Sequence, residues 1–171
     1  MPVALHNLVP TVSDAAPGTF NAGAEQIEAV LTPHTRAIVV AHIAGEPADL
    51  DPILELAQSR GLPVIEDCAQ AHGAMYKGKP VGSLGTVGAF STMSGKHHAT
   101  GAQGGVVFAK EEDLAWRIKR FSDRGKPFNL EGDVQSNVRA SLNLNGNDLS
   151  AAIGRVQLRR LSEIVKGRQE V

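Results

Sequence analysis

A strand–helix–strand pattern between residues 36 and 67 constrains the fold of this chain most strongly. The stretch "RAIVVAHIAG", from Arg36 to Gly45, is a nearly continuous apolar run, which is typical of a strand buried on both faces. "LPVIED", from Leu62 to Asp67, predicts a second short strand. Between them, four apolar residues recur at helical spacing: Leu50, Ile53, Leu54 and Ala57. Because short joints connect the three elements, we expect a βαβ unit with parallel strands and a right-handed crossover.

The flanking segments extend this pattern. "GAFSTM" (88–93) and "GGVVFAK" (104–110) predict two more strands, and residues 111–125 predict a helix with an acidic start and a basic end. A short helix is expected from residue 24 until Thr32-Pro33 stops it. The fold class that follows is α/β, with a mostly parallel sheet flanked by helices.

The last part of the chain predicts a loop and a helix. Residues 125–147 are polar and contain glycine, which favours a long loop. Residues 148–167 form the main part of an amphipathic helix that carries Leu149, Ile153 and Val156 on one side. A length of 171 residues suits one domain, so we expect a single domain over 1–171.

Composition excludes several classes of protein. The formal net charge is −1, which disfavours a nucleic-acid surface or a polybasic membrane anchor. We expect no transmembrane segment, because no apolar run is long enough to span a bilayer, and the N-terminus lacks the pattern of a signal peptide. The single cysteine, Cys68, allows no internal disulfide, which favours a cytoplasmic location.

The carboxyl end of the second strand is the first place to expect chemistry. Ligands of parallel sheets bind outside the carboxyl ends of the strands, and Asp67 lies at such an end. Asp67 is either the cap of the turn after its strand or a carboxylate that holds a cationic ring nitrogen. Gln70, three residues further on, is placed to reach the same ligand. The residues alone leave both interpretations open.

Nucleotide loops and metal sites are disfavoured by the sequence. "GSLGTVG", from Gly82 to Gly88, has the spacing GxxGxxG, and "TGAQGG" precedes a strand, so neither is a Rossmann or P-loop fingerprint. No HxxxH or HExxH pattern occurs, so we expect no metal and expect structural or solvated roles for four histidines: His42, His72, His97 and His98. Cys68 is expected to be a buried structural thiol.

Residues 64–110 closely resemble the DegT/DnrJ/EryC1/StrS aminotransferase family. The features that match are the segment "DCAQAHGA" (67–74), the stretch "GSLG" (82–85), and "FS" followed by Lys96 and "TGAQGG". The similarity extends to residues 17–63 and to "LNLNGNDLSAAIGRVQLRRL", and so covers nearly the whole chain. The resemblance implies a fold-type-I enzyme that uses pyridoxal 5'-phosphate (PLP) and acts mostly on nucleotide-linked keto sugars.

The resemblance implies a role for five residues. Lys96 matches the lysine that forms a Schiff base with PLP and moves protons, whereas the residues alone favour a surface charge, because most lysines are solvated. Asp67 matches the carboxylate that faces the pyridine nitrogen, and Gln70 matches the residue beside the ring and its 3-hydroxyl. Ser91 matches a phosphate-contacting serine. Asn143 matches an asparagine that reaches the phosphate from a neighbouring subunit, which implies a homodimer.

The chain also departs from the family pattern. Family members are longer, and the resemblance leads us to expect that this chain begins after their first segment, which carries a phosphate cradle, and ends before their small C-terminal domain. The resemblance therefore implies a partial large domain of a truncated member. Asn145 replaces the usual arginine, Gln103 an often-found glutamate and Ser94 a common proline. The implied function is amino transfer from an amino acid donor to a keto sugar. The alternatives are a non-catalytic dimerising remnant, a PLP-binding module without turnover and, since one subfamily has histidine for the lysine, a PLP-dependent sugar dehydratase.

Overall fold

The structure, a computed structural model, describes residues 2–130, 132 and 136–170. Its helices are α1 (Pro2–Leu5), α2 (Ala24–Glu28), α3 (Leu50–Ser59), α4 (Glu112–Ser122) and α5 (Asp148–Gln169). Its strands are β1 (Ile38–Ala41), β2 (Val64–Asp67), β3 (Met75–Tyr76), β4 (Lys79–Pro80), β5 (Val87–Ser91) and β6 (Gly105–Ala109). A short 3-10 helix, Ile43–Gly45, follows β1.

Four strands form one sheet in the order β1-β2-β5-β6. The pairs β1–β2 and β2–β5 are parallel, and β6 runs antiparallel to β5 at the edge. The βαβ unit predicted for residues 36–67 is thus confirmed in its order and in its parallel pairing. Parallel strands end at the same edge of a sheet, so Asp67 of β2 and Ser91 of β5 lie at a common edge.

The core lies between one face of this sheet and α3. It contains Ile38 and Val40 of β1 and the face of α3 that includes Leu50, Ile53 and Ala57. The α3 face matches the apolar spacing of the sequence, and burial of such side chains stabilises the fold by about 1.5–3 kcal/mol each. Asp49 is the N-cap of α3, although its side chain accepts a hydrogen bond from the Tyr76 hydroxyl and none from the helix.

One expectation for β1 is wrong. The sequence predicts a strand buried on both faces, but Val39 is 56% exposed, whereas Val40 is fully buried. The reason is that α3 covers one face of the strand, and no described residue buries the other. In β6 both faces are partly exposed, since the consecutive residues Val106, Val107 and Phe108 are all about half exposed.

The polar segment after α4 contains no helix or strand among its described residues. An isolated bridge between Asp123 and Asn143 ties it back to the end of α4. The C-terminal helix α5 forms as expected, but its apolar side is exposed: Leu149 at 80%, Ile153 at 44% and Val156 at 53%. Its buried residue is Gly154.

Candidate active site

Asp67 ends β2 with its side chain on the exposed side of the strand. Its backbone pairs with Ala41 of β1 and with Ala89 of β5, two residues before Ser91. One carboxylate oxygen, Oδ1, accepts a hydrogen bond from the Ala69 N–H at 3.0 Å. The turn role and the ligand role considered from the sequence are therefore compatible, because a carboxylate has two oxygens and the turn occupies one.

Gln70 is held by its amide oxygen. Oε1 accepts a hydrogen bond from the Ala44 N–H at 2.8 Å. A backbone N–H only donates, so the oxygen must face it, and the amide nitrogen is left as the free end of the side chain. Gln70 therefore presents two N–H donors from an exposed position next to Asp67.

Lys96 lies in the loop that joins β5 to β6. Ser91 ends β5, and its Oγ accepts a hydrogen bond from the Met93 N–H at 3.3 Å. The base of the loop is closed by Thr92 and Thr100, because the Thr100 N–H donates to the Thr92 carbonyl at 2.9 Å. The Lys96 N–H donates to the Met93 carbonyl at 2.9 Å, and the side chain is half-buried. The loop thus holds Lys96 at the edge of the sheet where Asp67 and Ser91 end their strands.

Asn143 is placed apart from the other four predicted residues. Its Oδ1 accepts from the Asn145 N–H at 3.3 Å and from the Asn145 side chain at 2.9 Å. No hydrogen bond in the described part of the chain joins it to Asp67, Gln70, Ser91 or Lys96. The structure of one chain therefore brings four of the five residues to one edge and leaves Asn143 on the surface.

Glu66 is a site residue that sequence reasoning missed. Its side chain is fully buried and accepts three backbone N–H groups, those of Gly82 at 2.7 Å, Leu84 at 2.8 Å and Gly85 at 2.6 Å. His42 Nε2 adds a fourth contact at 3.1 Å. Burial alone raises the pKa of this carboxyl, but the hydrogen bonds from His42 and the three backbone groups outweigh it and hold the pKa below its ordinary value.

The glycine-rich stretch supplies the amide cradle of Glu66, the N–H groups of Gly82, Leu84 and Gly85. Gly82–Gly88 was tested from the sequence as a phosphate loop, and its N–H groups do surround an anion, but the anion is Glu66 of the same chain. At Gly88 an added Cβ would lie 2.2 Å from the Gly82 carbonyl oxygen, so the loop and β5 touch backbone to backbone. The alternation in "VIED" indicates that Glu66 faces inwards, but it does not indicate which groups Glu66 would bind.

His42, Glu66 and Cys68 lie close enough to suggest a metal site, with ligand atoms within 4.8 Å of one another. Their chemistry does not fit a cation. His42 Nδ1 accepts from the Ala48 N–H at 3.1 Å, so both ring nitrogens are in use, and Glu66 already has four donors. Burial, aided by the charges of Glu66 and Asp67, raises the pKa of Cys68 to about 12, which keeps it a thiol. These contacts agree with the structural roles expected for His42 and Cys68.

His72 lies buried beside the Lys96 loop, with an exposed fraction of 7%. Its ring is 5.6 Å from that of His97 and 6.4 Å from that of His98, and neither nitrogen has a partner among the described residues. Burial, together with the positive charges that His97, His98 and Lys96 carry when protonated, lowers the pKa of His72 to about 4. Next to it, His98 Nε2 lies 3.0 Å from the Gly154 carbonyl and so links the loop to α5.

The comparisons with known proteins agree with this geometry. The sequence pattern of the DegT/DnrJ/EryC1/StrS aminotransferase family matches residues 1–171. This chain belongs to that family. GDP-perosamine synthase of Caulobacter vibrioides is 38% identical over 162 residues, which are 95% of this chain and 43% of that protein. The L-glutamine:2-deoxy-scyllo-inosose aminotransferase of Streptomyces fradiae is 42% identical over 120 residues, which are 70% of this chain and 28% of that protein.

Superposition on a solved structure identifies the fold. The aminotransferase from Psychrobacter cryohalolentis superposes with a TM-score of 0.87 at 39% identity, covering 94% of this chain and 42% of that one. The fold-type-I aminotransferase fold expected from the resemblance is therefore confirmed. The chain spans less than half the length of these relatives. The family and its structural neighbours are PLP-dependent aminotransferases. No helix among residues 2–130, 132 and 136–170 has the length and apolar character to cross a membrane.

Proposed function

We propose that this chain carries the cofactor-binding part of a PLP-dependent aminotransferase that moves an amino group from an amino acid to a nucleotide-linked keto sugar. The observation that carries the proposal is the gathering of Asp67, Gln70, Ser91 and Lys96 at one edge of the sheet. Membership in the DegT/DnrJ/EryC1/StrS family supports it. The chain covers about 42% of the Psychrobacter cryohalolentis aminotransferase, so the activity of a whole enzyme is part of the proposal.

The donors and acceptors at the edge fit the polar groups of PLP. Asp67 has a carboxylate oxygen beyond the one in its turn, which suits a protonated pyridine nitrogen. Gln70 presents only N–H donors, which suits a phenolate oxygen. Ser91 accepts through Oγ and retains a hydroxyl proton for a phosphate oxygen. The ring nitrogens of His72, near Lys96, are buried and have no hydrogen-bond partner in the part of the chain that the structure describes, which supports a further polar group beside them.

The roles of the side chains follow from these groups. When bound, PLP would supply an electron sink that stabilises negative charge on the substrate carbon. Asp67 would hold the proton on the ring nitrogen. Lys96 would form the covalent link and afterwards carry a proton between the two carbons at which the amino group is exchanged, which needs an uncharged amine in one stage of the cycle.

The substrate class rests on the relatives. Of the two relatives described above, one is named for the GDP-linked sugar GDP-perosamine and the other for L-glutamine. We therefore propose a nucleotide-linked keto sugar as acceptor and glutamine or glutamate as donor. We also propose a homodimer, in which Asn143 of one subunit reaches the phosphate in the other, because Asn143 lies apart from its own chain's site. A cytoplasmic location stays a prediction from the single cysteine.

A PLP-binding module without turnover is the second candidate. The exposure of Asp67 and Gln70 favours it, because a transaminase excludes water from the reacting centre. A dimerising remnant without the cofactor is the third, favoured by the exposed apolar residues of β6. A sugar dehydratase is disfavoured, because a lysine and not His97 stands five residues after Ser91.

Reductive trapping separates these candidates. The purified chain is mixed with PLP, treated with borohydride and digested, and the modified peptide is located by mass spectrometry. We expect Lys96 to be the single labelled lysine and the label to disappear in Lys96→Ala. The label should persist in the control Lys79→Ala, which removes an exposed lysine of β4. Amino transfer from glutamine to a keto sugar supports the enzyme, and a label without transfer supports the binding module. An identical pattern in wild type and Lys96→Ala rules out both.

A further inference from the structure

We infer that the buried pair Glu66–His42 positions Gln70, and through it the side of the ligand site that Gln70 lines. Glu66 Oε2 and His42 Nε2 are 3.1 Å apart, and both side chains are fully buried. Glu66 is therefore a positioning residue and does not itself reach the ligand. The identity of the ligand rests on the proposed function, while the positioning of Gln70 is a property of the chain alone.

The tautomer of His42 connects Glu66 to the loop after β1. Nδ1 accepts the Ala48 N–H at 3.1 Å, so it carries no proton, and the ring proton lies on Nε2, facing Glu66. A carboxylate at this place accepts that proton and stabilises the tautomer. The ring then fixes both ends of the loop, because His42 begins it and Ala48 ends it.

The loop between these two residues holds Gln70. Ala44 has φ 56° and Gly45 has φ 85°, two successive residues in the left-handed region. A non-glycine residue in that region is strained and persists only where its surroundings enforce the conformation. This conformation turns the Ala44 N–H towards Gln70 Oε1, at 2.8 Å. An added Cβ at Gly45 would lie 3.2 Å from the Gln70 carbonyl oxygen, so the loop also packs on the Gln70 backbone.

Asn21 braces the same loop from the other side. Its Nδ2 donates to the Glu46 carbonyl at 2.9 Å, and its Oδ1 accepts from the Ile43 N–H at 2.9 Å. Asn21 thus bonds the two positions that flank Ala44 and Gly45. The strained backbone of Ala44 is held by two buried polar side chains, Asn21 and His42, and only His42 is tied to the end of β2 through Glu66.

The test is Glu66→Gln followed by amide hydrogen exchange in the free chain. Glutamine has one oxygen where Glu66 has two, so its NH₂ group must face either His42 and the Gly82 N–H or the N–H groups of Leu84 and Gly85. Either arrangement displaces the side chain, weakens its contact with His42 and loosens the loop. We expect the amides of Ala44 and Ala48 to exchange about tenfold faster or more. Ile53→Val is the control, because it lowers the stability of the core without touching the loop. His42→Asn, which keeps an acceptor for Ala48 but loses the contact to Glu66, replaces Glu66→Gln if that variant does not fold.

Cofactor affinity supplies the second readout. We expect Glu66→Gln to raise the dissociation constant for PLP about tenfold, and to have little further effect in a Gln70→Ala background, because it acts through Gln70. The inference is overturned if the Ala44 amide exchanges no faster in Glu66→Gln than in Ile53→Val. It is also overturned if the effects of Glu66→Gln and Gln70→Ala on PLP affinity are additive. Faster exchange at Ala44 in a chain whose wild type binds no PLP overturns the proposed function and leaves the positioning of Gln70 supported.

Discussion

The imidazole rings of His72 and His97 lie 5.6 Å apart, and both carry a buried nitrogen without a partner among the described residues. The pKa of His97 is lowered as well, by burial first and by the charges of Arg168 and Lys96 second. Protonation of either ring would place a buried positive charge beside other positively charged groups. The folded conformation of the Lys96 loop should therefore be destabilised by acid.

We therefore expect stability to fall with pH below neutrality. The pKa of His72 is about 4 in the folded chain and 6.5 for a solvated imidazole, so the unfolded chain binds the proton first as pH falls. The free energy of unfolding should decrease by about 2–3 kcal/mol between pH 7 and pH 4.5 on account of His72, and level off below its folded pKa. Urea unfolding at both pH values measures this, and His72→Gln should flatten the dependence. An equally steep fall in that variant would assign the effect to other groups.

Asp67→Asn should separate stability from function. Asparagine keeps an oxygen for the Ala69 N–H, so we expect the free energy of unfolding to change by less than about 0.5 kcal/mol. It cannot hold a proton on a pyridine nitrogen as a carboxylate does, so PLP binding should weaken about tenfold or more. Calorimetry and PLP titration of the same samples check the two statements. A large loss of stability with unchanged binding would make Asp67 a capping residue only.

Gly88→Ala should destabilise the chain by about 2–4 kcal/mol. The new Cβ would lie 2.2 Å from the Gly82 carbonyl oxygen, a backbone atom that the bonds to Glu66 hold in place. Gly167→Ala is the matched control, since its Cβ meets no atom within 4 Å in α5 and should stabilise the helix by about 0.5–1 kcal/mol. Denaturant melts of both variants test the contact, and equal stabilities would mean that the glycine-rich loop moves away freely.

Cys68 should be inert in the folded chain. Its side chain is fully buried, and burial raises its pKa to about 12, so almost no thiolate exists at pH 8. A thiol-specific chromogenic reagent should react about a hundredfold more slowly with the native chain than with the chain in denaturant. Rapid labelling of the native chain at full stoichiometry would contradict the burial of this residue.

Phe108→Lys should reduce self-association. Phe108 lies in β6, the antiparallel edge strand, with 46% of its surface exposed, and an exposed apolar edge favours pairing between chains. A lysine there should leave the free energy of unfolding within about 0.5 kcal/mol, while light scattering shows smaller particles. Val12→Lys, at an exposed position outside the sheet, is the control. Equal scattering by wild type and Phe108→Lys would place the association elsewhere.

The helices and strands of this fold were predictable where the spacing of apolar residues and the positions of helix-breaking residues indicate the same element. The spacing of Leu50, Ile53 and Ala57 predicted α3, because a helix buried on one side needs that repeat. The β3–β4 hairpin was missed, although Lys77-Gly78 is a two-residue turn with φ 48° and 79°. Strands of two residues give no period to detect. Burial of Val39 was predicted wrongly because a run of apolar residues does not tell which faces are covered.

The site was predictable only through the resemblance to a family. Asp67 and Gln70 followed from the position of a strand end, while Lys96 had no local signal that separates a nucleophile from a surface charge. Glu66 went unnoticed because its four donors come from two segments far from it in the chain, His42 and the loop from Gly82 to Gly85, which meet it only in three dimensions. Long-range hydrogen bonds of this kind leave no spacing in the sequence.

Glu66 and Asp67 are neighbours on β2, and the two-residue period of a strand turns one inwards and the other outwards. A shift of the strand by one position would put Asp67 into the amide cradle and point Glu66 at the exposed edge. The shorter aspartate would not reach its four donors. Glu66 finds its hydrogen-bond donors in one strand register only, so it fixes the register that places Asp67 at the exposed edge. Insertions or deletions in β2 should therefore be selected against more strongly than substitutions.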